Sequence, residues 1–206
     1  MRQKSWYPVV YMFVVTAFFS SILIGFSRFT REMVEANQRI AFEKAVLMAL
    51  HVDMPQRMSP AEIHRVFLER ISPPTPSSRG AYLLMEKDKI TGYALPVSGQ
   101  GFWDEIKGVI GIAADRKTII GIAFYEQNET PGLGAEITRK YFREQFAGKV
   151  LSFSEKPIIV KTVGLATGEN EVQAVTGATQ TSTRLEKMLN DTLTRWLKGE
   201  DDKGKG

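Results

Sequence analysis

The segment from residue 6 to residue 26, WYPVVYMFVVTAFFSSILIGF, contains no charged residue. As a helix it would be about 31 Å long, which matches the hydrocarbon thickness of a bilayer. Trp6, Tyr7 and Tyr11 lie at its first end, as in the aromatic belt of a membrane span. A cleaved signal peptide is the alternative, but the apolar run is long and no A-x-A cleavage pattern follows it. We therefore predict an uncleaved transmembrane anchor over residues 1–28.

The charges that flank this segment do not decide its orientation. Arg2 and Lys4 precede it, which favours a cytoplasmic N-terminus, but several basic residues also follow it. The positive-inside rule counts Lys and Arg on both sides, so the side of the membrane stays open at this level.

Composition excludes several classes of function. The chain carries 27 basic and 23 acidic residues, and three of the basic ones lie within residues 1–28. The remainder is close to neutral, so we expect no nucleic-acid partner. The absence of Cys excludes disulfides, Cys-ligated clusters, thiolate zinc sites and a Cys nucleophile. Only His51 and His64 are available as imidazole ligands, so we predict no metal site.

Periodicity and turn signals predict the elements that follow the anchor. Ser59-Pro60-Ala61-Glu62 has the form of a capping box that opens a short helix. The amphipathic pattern is clearest in the last helix, which Gly199 ends. The predicted helices cover residues 29–51, 60–70, 136–147 and 179–198, and the predicted strands cover 81–86, 89–97, 108–114, 118–125 and 157–163.

These elements predict an α+β protein: one N-terminal transmembrane helix, then a single domain with a mostly antiparallel sheet and flanking helices. After the anchor we expect a helical connector with a Pro/Ser-rich loop over residues 29–79. The main domain is expected at 80–199, followed by a polar tail at 200–206.

A loop over residues 126–137, EQNETPGLGAEI, could approach a flat ligand. Thr130-Pro131-Gly132-Leu133 fits a type II turn, with Pro and Gly at its two central positions. Gly134 adds a second flexible position, so the loop can expose backbone donors. An ordinary turn that closes a strand explains the same residues.

The segment 175–183, VTGATQTST, concentrates hydroxyl groups at the start of the last helix. Free N–H groups and the helix dipole favour an anion such as a phosphate at this position. A helix N-cap with spare hydroxyls is the alternative. The hydroxyl residues are Thr176, Thr179, Thr181, Ser182 and Thr183, with Gly177 and Ala178 between the first two.

The two segments together resemble a known family. ETPGLG, followed some forty residues later by (S/T)GAT, is similar to the FMN-binding domain shared by the G subunit of the Rnf complex and the C subunit of the sodium-translocating NADH:quinone reductase. Further matches are the single N-terminal span, the G-x-G-F-W stretch at 99–103, the F-x-G-K of residues 146–149, and the final W-L before a polar tail.

The resemblance implies the roles of individual residues. In that family a flavin transferase esterifies the Thr that ends GAT with the phosphate of FMN, and that residue here is Thr179. The family's motif usually begins with Asp six residues earlier, where this chain has Gln173. The residues implied to bind the cofactor besides Thr179 are Thr176, Gly177, Ala178, Glu129, Thr130, Pro131, Gly132, Leu133 and Gly134.

The resemblance also implies a function. We expect a flavoprotein subunit with covalent FMN that relays electrons in an ion-translocating, Rnf-type ferredoxin:NAD oxidoreductase, with no substrate chemistry of its own. Its implied partners are other membrane subunits, the flavin transferase and the lipid bilayer, with the domain on the extracytoplasmic side of the inner membrane. The alternatives are the equivalent quinone-reductase subunit, a stand-alone extracytoplasmic flavin carrier, and a non-redox anchored scaffold.

Overall fold

The computed structural model describes residues 6–55, 57–153 and 156–199. Arg2, Lys4 and the predicted tail at 200–206 lie outside these ranges. The chain divides into two units, Met1–Arg39 and Ile40–Gly206. The predicted class is confirmed: an apolar N-terminal helix is followed by an antiparallel sheet with flanking helices.

The first unit holds most of helix α1 (Tyr7–Ala49). None of the most apolar 18-residue window of this helix is buried, and its length and composition suffice to cross a membrane. The helix expected to follow the apolar run, over residues 29–51, is present as the continuation of α1 to Ala49. Pro8 lies in its first turn, where proline is tolerated, and a single Gly such as Gly25 does not break a helix.

The second unit begins with the end of α1 and with helix α2 (Pro60–Arg70). The predicted capping box is present: Glu62 N–H donates to Ser59 Oγ, and Ser59 N–H donates to Glu62 Oε2 at 2.7 Å. The Glu62 carboxylate accepts from the backbone N–H and from the hydroxyl of Ser59, and these two hydrogen bonds lower its pKa. The start of α2 is thereby fixed at Pro60.

A five-stranded antiparallel sheet forms the centre of this unit, and its strands are ordered as in the sequence. The Pro/Ser-rich loop expected within residues 29–79 corresponds to residues 71–79, which form the short first strand and a 3-10 turn at Pro76–Ser78. The strands are β1 (Ile71–Ser72), β2 (Tyr82–Glu86), β3 (Lys89–Gln100), β4 (Glu105–Ala113) and β5 (Ile119–Glu126).

Successive residues of a strand point to opposite faces of the sheet, and each face packs into its own hydrophobic core. Tyr93 and Leu95 belong to a core with helix α4 (Thr179–Lys198), whereas Ala94 belongs to a second core with the end of α1 and with α2. The same alternation on β4 places Val109 in the second core and Ile110 in the first. The strands therefore carry long apolar runs.

The helix expected over residues 136–147 is broken into three pieces. A 3-10 turn (Gly134–Thr138) is followed by α3 (Lys140–Arg143) and a second 3-10 turn (Glu144–Phe146). Arg139 lies between the first two in an extended conformation. The break lets Ile137, Phe142 and Phe146 all be fully buried, although residues 137 and 142 would face different directions on one regular helix.

The remaining strands form a small parallel pair, β6 (Ile159–Lys161) and β7 (Glu171–Gln173). β6 falls within the predicted strand at 157–163, whereas β7 has no counterpart among the predicted elements. Helix α4 follows β7 and ends at Gly199, which has a positive φ of 75° as in a left-handed C-cap. Its buried face includes Leu185, Leu189 and Leu193.

Gly111 on β4 is required by the close approach of helix α1. A Cβ atom at this position would overlap the carbonyl oxygen of Ala49, which is backbone and cannot rotate away. We expect Gly111→Ala to lower the free energy of unfolding by about 1–3 kcal/mol, as overpacking does. Urea unfolding of the full chain in detergent would measure the loss.

Gly92→Ala is the matched control for this prediction. A Cβ at Gly92 would lie 3.1 Å from two methyl groups, Ile120 Cδ1 and Leu50 Cδ2, which can move. The control should therefore cost less than Gly111→Ala. Equal losses for the two variants would contradict the packing described for Gly111.

Candidate functional site

The first predicted segment forms the expected turn. Leu133 N–H donates to the carbonyl oxygen of Thr130 at 3.1 Å, and Gly132 has φ +74°, as the third position of a type II turn requires. Ala135 N–H donates to the same carbonyl at 3.1 Å. The turn leads directly into the 3-10 turn that begins at Gly134.

The second segment also contains a turn, and it precedes helix α4. Ala178 N–H donates to Val175 O at 3.1 Å, and Gly177 has φ +74°. Helix α4 begins at Thr179, and Ala178 occupies the N-cap without a side-chain hydrogen bond. Thr179 is therefore the first helical residue, and it is exposed to solvent.

The fold brings the two segments into contact. Leu133 Cδ2 lies 3.1 Å from the position that a Cβ on Gly177 would occupy. Thr181 Oγ1 donates to Glu129 Oε2 at 2.6 Å, which joins residues 52 positions apart in the chain. The turn at 130–133 and the start of α4 thus form one site.

The structure divides the hydroxyl groups of the second segment into two sets. Thr181 and Ser182 are each 3% exposed, and both are hydrogen-bonded: Thr181 to Glu129, and Ser182 Oγ to Val175 N–H at 3.2 Å. Thr176, Thr179 and Thr183 are exposed. Only the exposed set can reach a modifying enzyme.

The start of α4 offers donors to an anion. Within residues 6–55, 57–153 and 156–199, no acceptor is hydrogen-bonded to the backbone N–H of Thr179, Gln180 or Thr181. The first bond of the helix is donated by Ser182 N–H to Ala178 O at 3.0 Å. Three free N–H groups and the positive end of the helix dipole favour a phosphate here.

A cleft of about 700 Å³ lies beside the two turns. This volume is in the range of small-molecule sites. Tyr141 lines this cleft although its ring is 57% exposed, and slight desolvation together with the neighbouring Glu136 carboxylate raises its pKa. The lining residues are Gly132, Glu136, Tyr141, Gln145, Val163, Gln173, Ala174, Val175 and Thr176.

Gln173, the position where the family usually has Asp, lines this cleft. Its side-chain Oε1 accepts from Gly164 N–H at 3.1 Å, and its backbone N–H donates to Gln145 Oε1 at 2.7 Å. The amide of Gln173 offers an acceptor oxygen, as a carboxylate would, but it carries no negative charge.

A third segment joins the site. Trp103 N–H donates to Glu129 Oε1 at 3.1 Å, and Trp103 Nε1 donates to Thr130 Oγ1 at 3.0 Å. The ring of Trp103 is 65% exposed and meets Phe102 edge to face. The sequence connected this stretch with the family but did not indicate its contact with the turn.

Each implied cofactor residue can now be placed. Thr130, Pro131, Gly132 and Leu133 form the exposed turn, whereas Glu129 is only 4% exposed and directs both carboxylate oxygens inward. The sequence did not single out the Glu129–Thr181 contact, because nothing in the spacing pairs an acid with a hydroxyl so far along the chain. Among the described residues, no group of three or more His, Asp or Glu could hold a metal ion.

Comparison with known proteins identifies the domain that carries this site. The sequence model of the FMN-binding domain family matches residues 101–194, which include all three segments. Residues 101–194 belong to the FMN-binding domain family. The resemblance stated from the ETPGLG and TGAT segments is confirmed.

Two relatives with similar sequences are C subunits of the same kind of complex. The C subunit of the Na(+)-translocating NADH-quinone reductase of Vibrio vulnificus is 42% identical over 105 residues, which are 49% of this chain and 41% of that protein. The Chlamydia pneumoniae C subunit is 34% identical over 128 residues, 62% of this chain and 38% of that protein. The chain thus matches about two fifths of the length of these relatives.

Solved structures share the fold. The C subunit of the same kind of reductase from Parabacteroides distasonis superposes with a TM-score of 0.71 at 24% identity, covering 82% of this chain and 96% of that one. Shewanella oneidensis NqrC gives a TM-score of 0.63 at 20% identity, covering 80% and 99%. These matches show a shared fold, whereas the names of the sequence relatives favour the quinone-reductase alternative over the Rnf-type complex that we expected first.

Proposed function

We propose that the chain is a membrane-anchored flavoprotein subunit that holds FMN and relays electrons within a Na⁺-translocating NADH:quinone reductase. The observation that carries this proposal is the FMN-binding domain match over residues 101–194, whose ETPGLG and TGAT segments meet in one site. The names of the relatives support the choice of complex. FMN, when bound, supplies the electron-transfer chemistry, and the protein positions it.

We propose Thr179 as the covalent tether, through an ester between its hydroxyl and the FMN phosphate. Three features support this role: the side chain is exposed, it follows the small residues Gly177 and Ala178, and the free N–H groups of α4 begin at this residue. The phosphodiester would carry one negative charge, which the helix N-terminus stabilises by about 0.3–1 kcal/mol if exposed.

The surrounding residues would bind the rest of the cofactor. Thr176 is exposed and lines the cleft, and the turn at 130–133 presents its backbone and the 43%-exposed side chain of Leu133 beside Gly177. Gly134 lets the turn approach α4, because a Cβ at Gly134 would lie 2.5 Å from Thr181 Oγ1. These residues fit a flat, phosphate-bearing ligand.

We further propose that residues 1–28 anchor the protein in the inner membrane as a single span. The fully exposed apolar window of α1 supports the anchor. The extracytoplasmic placement of the domain rests on the family resemblance. The proposed partners are the other membrane subunits of the complex and the flavin transferase that would modify Thr179.

Purification of the chain from native membranes tests this function. We expect flavin, several multi-span subunits and NADH:quinone reductase activity to co-purify with it. Recovery in a ferredoxin-dependent complex would support the Rnf-type alternative instead. A colourless chain without membrane partners would contradict the proposal and favour an anchored scaffold.

A further inference from the structure

The carboxylate of Glu129 holds three separate segments together. One oxygen accepts from Trp103 N–H, and the other accepts from the hydroxyl of Thr181 on α4. Glu129 itself precedes the turn at 130–133, which Trp103 Nε1 also reaches through Thr130 Oγ1. We call these contacts of Glu129, Trp103 and Thr181 the clasp.

The clasp is a closely packed arrangement. A Cβ on Gly101 would lie 2.5 Å from Glu129 Oε1, and a Cβ on Gly134 would lie 2.6 Å from Glu129 Oε2. The carboxylate therefore packs directly against the backbones of two glycines, and a side chain at either position would overlap it. This packing restricts the carboxylate to the position where it accepts both hydrogen bonds.

The buried acid depends on these two donors. Glu129 is 4% exposed, and among the described residues it forms no ion pair with Lys, Arg or His. A buried charged group that loses a hydrogen-bond donor is strongly destabilised. Removing the Thr181 hydroxyl should therefore drive the carboxylate, and the turn attached to it, away from α4.

We propose that Glu129 and Thr181 are positioning residues: the clasp forms the FMN site before any flavin is present, and neither side chain contacts the flavin. This inference rests on the proposed function and deepens it. It assigns Glu129, which the resemblance placed among the cofactor-binding residues, an indirect role through the turn at 130–133. It also adds Thr181, whose buried hydroxyl fixes the distance between that turn and Thr179.

The first measurement uses the full flavin-free chain in detergent, produced without a flavin transferase. Amide hydrogen exchange should show slow exchange at Trp103, Leu133 and Ala135, and faster exchange at all three in Thr181→Val, which keeps the shape but lacks the hydroxyl. Thr181→Ser retains the donor and should restore slow exchange. The control is Thr183→Val, which makes the same change at an exposed position of α4.

The second measurement is the rate of flavin transfer per folded molecule, well below the melting temperature. We expect Thr181→Val and Glu129→Met, which remove the hydroxyl and the carboxylate of the contact, each to slow transfer about tenfold, on the scale of one lost hydrogen bond to a buried charge. Since both act on one contact, the double variant should be no slower than the slower single variant. Thr181→Ser should recover most of the rate.

The two measurements separate the inference from the proposed function. Thr181→Val with wild-type exchange and wild-type transfer, or losses that add in the double variant, would overturn the clasp. A lowered melting temperature with an unchanged transfer rate would also overturn it, since that outcome reflects stability alone. If the wild-type chain shows slow exchange but accepts no flavin from the transferase, the proposed function fails instead.

Discussion

Replacing Thr179 with alanine is expected to abolish covalent flavin while leaving the fold intact. The proposed ester needs the hydroxyl of this residue, and alanine is tolerated at the start of a helix whose N-cap makes no side-chain bond. The variant would be co-expressed with a flavin transferase. Its intact mass should be that of the unmodified chain, and a denaturing gel should show no fluorescence under ultraviolet light.

The other exposed hydroxyls of the segment supply matched controls. Thr183→Ala removes a hydroxyl that is also exposed and that lies outside the proposed cofactor contacts, so it should retain the flavin, and Thr176→Ala tests the remaining exposed hydroxyl, which should not be needed for the covalent bond. Far-ultraviolet circular dichroism of all three variants would verify that the fold is kept. Fluorescence retained by Thr179→Ala and lost by Thr176→Ala would move the tether to Thr176.

Replacing Trp196 with alanine should be the most destabilising single change considered for the core. Trp196 is 4% exposed, packs edge to face on Tyr93 at 5.5 Å, and donates from Nε1 to Ser78 O at 2.9 Å. Large-to-small changes of this kind cost about 3–5 kcal/mol, which is a large part of a domain's total stability. Urea unfolding of the full chain in detergent would measure the loss.

Two further tryptophan variants show which contacts cause the loss of stability expected for Trp196→Ala. Trp196→Phe keeps a ring against Tyr93 but loses the hydrogen bond to Ser78, so it should cost about 1–2 kcal/mol. Trp103→Ala removes a ring that is 65% exposed and should change the free energy of unfolding little. A loss at Trp103 as large as the loss at Trp196 would show that the core is not where the structure places it.

The elements that local patterns define were predictable from the sequence. The capping box at Ser59 and the left-handed cap at Gly199 set the ends of α2 and α4 within a few residues. Alternating and apolar runs with short turns located β2 to β5. These signals are local, since a cap or a hairpin turn is made by residues adjacent in the chain.

The features that depend on distant partners were not predictable. The segment 136–147 has a helical pattern, but burial of Ile137, Phe142 and Phe146 in one core breaks it at Arg139. The short strand β1 forms only because Ile71 pairs with Leu84. In both cases tertiary contacts outweigh local preference.

In the candidate site, too, the local features were predictable from the sequence and the contacts between distant residues were not. Turn chemistry predicted the Thr130–Leu133 turn, and hydroxyl spacing indicated the start of α4, because each signal lies within a few residues. The resemblance then connected the two segments. The hydrogen bond of Glu129 with Thr181 and the contact with Trp103 required the folded chain, since no spacing rule joins residues 52 positions apart.

Mass spectrometry of the chain purified from native membranes tests the central claim most directly. No Lys or Arg lies between Lys161 and Arg184, so trypsin releases all the candidate hydroxyls on one peptide, and fragmentation must locate the modification within it. We predict that this peptide carries the mass of one FMN less one water, localised to Thr179. An unmodified peptide, or a flavin attached to another residue, would contradict this assignment.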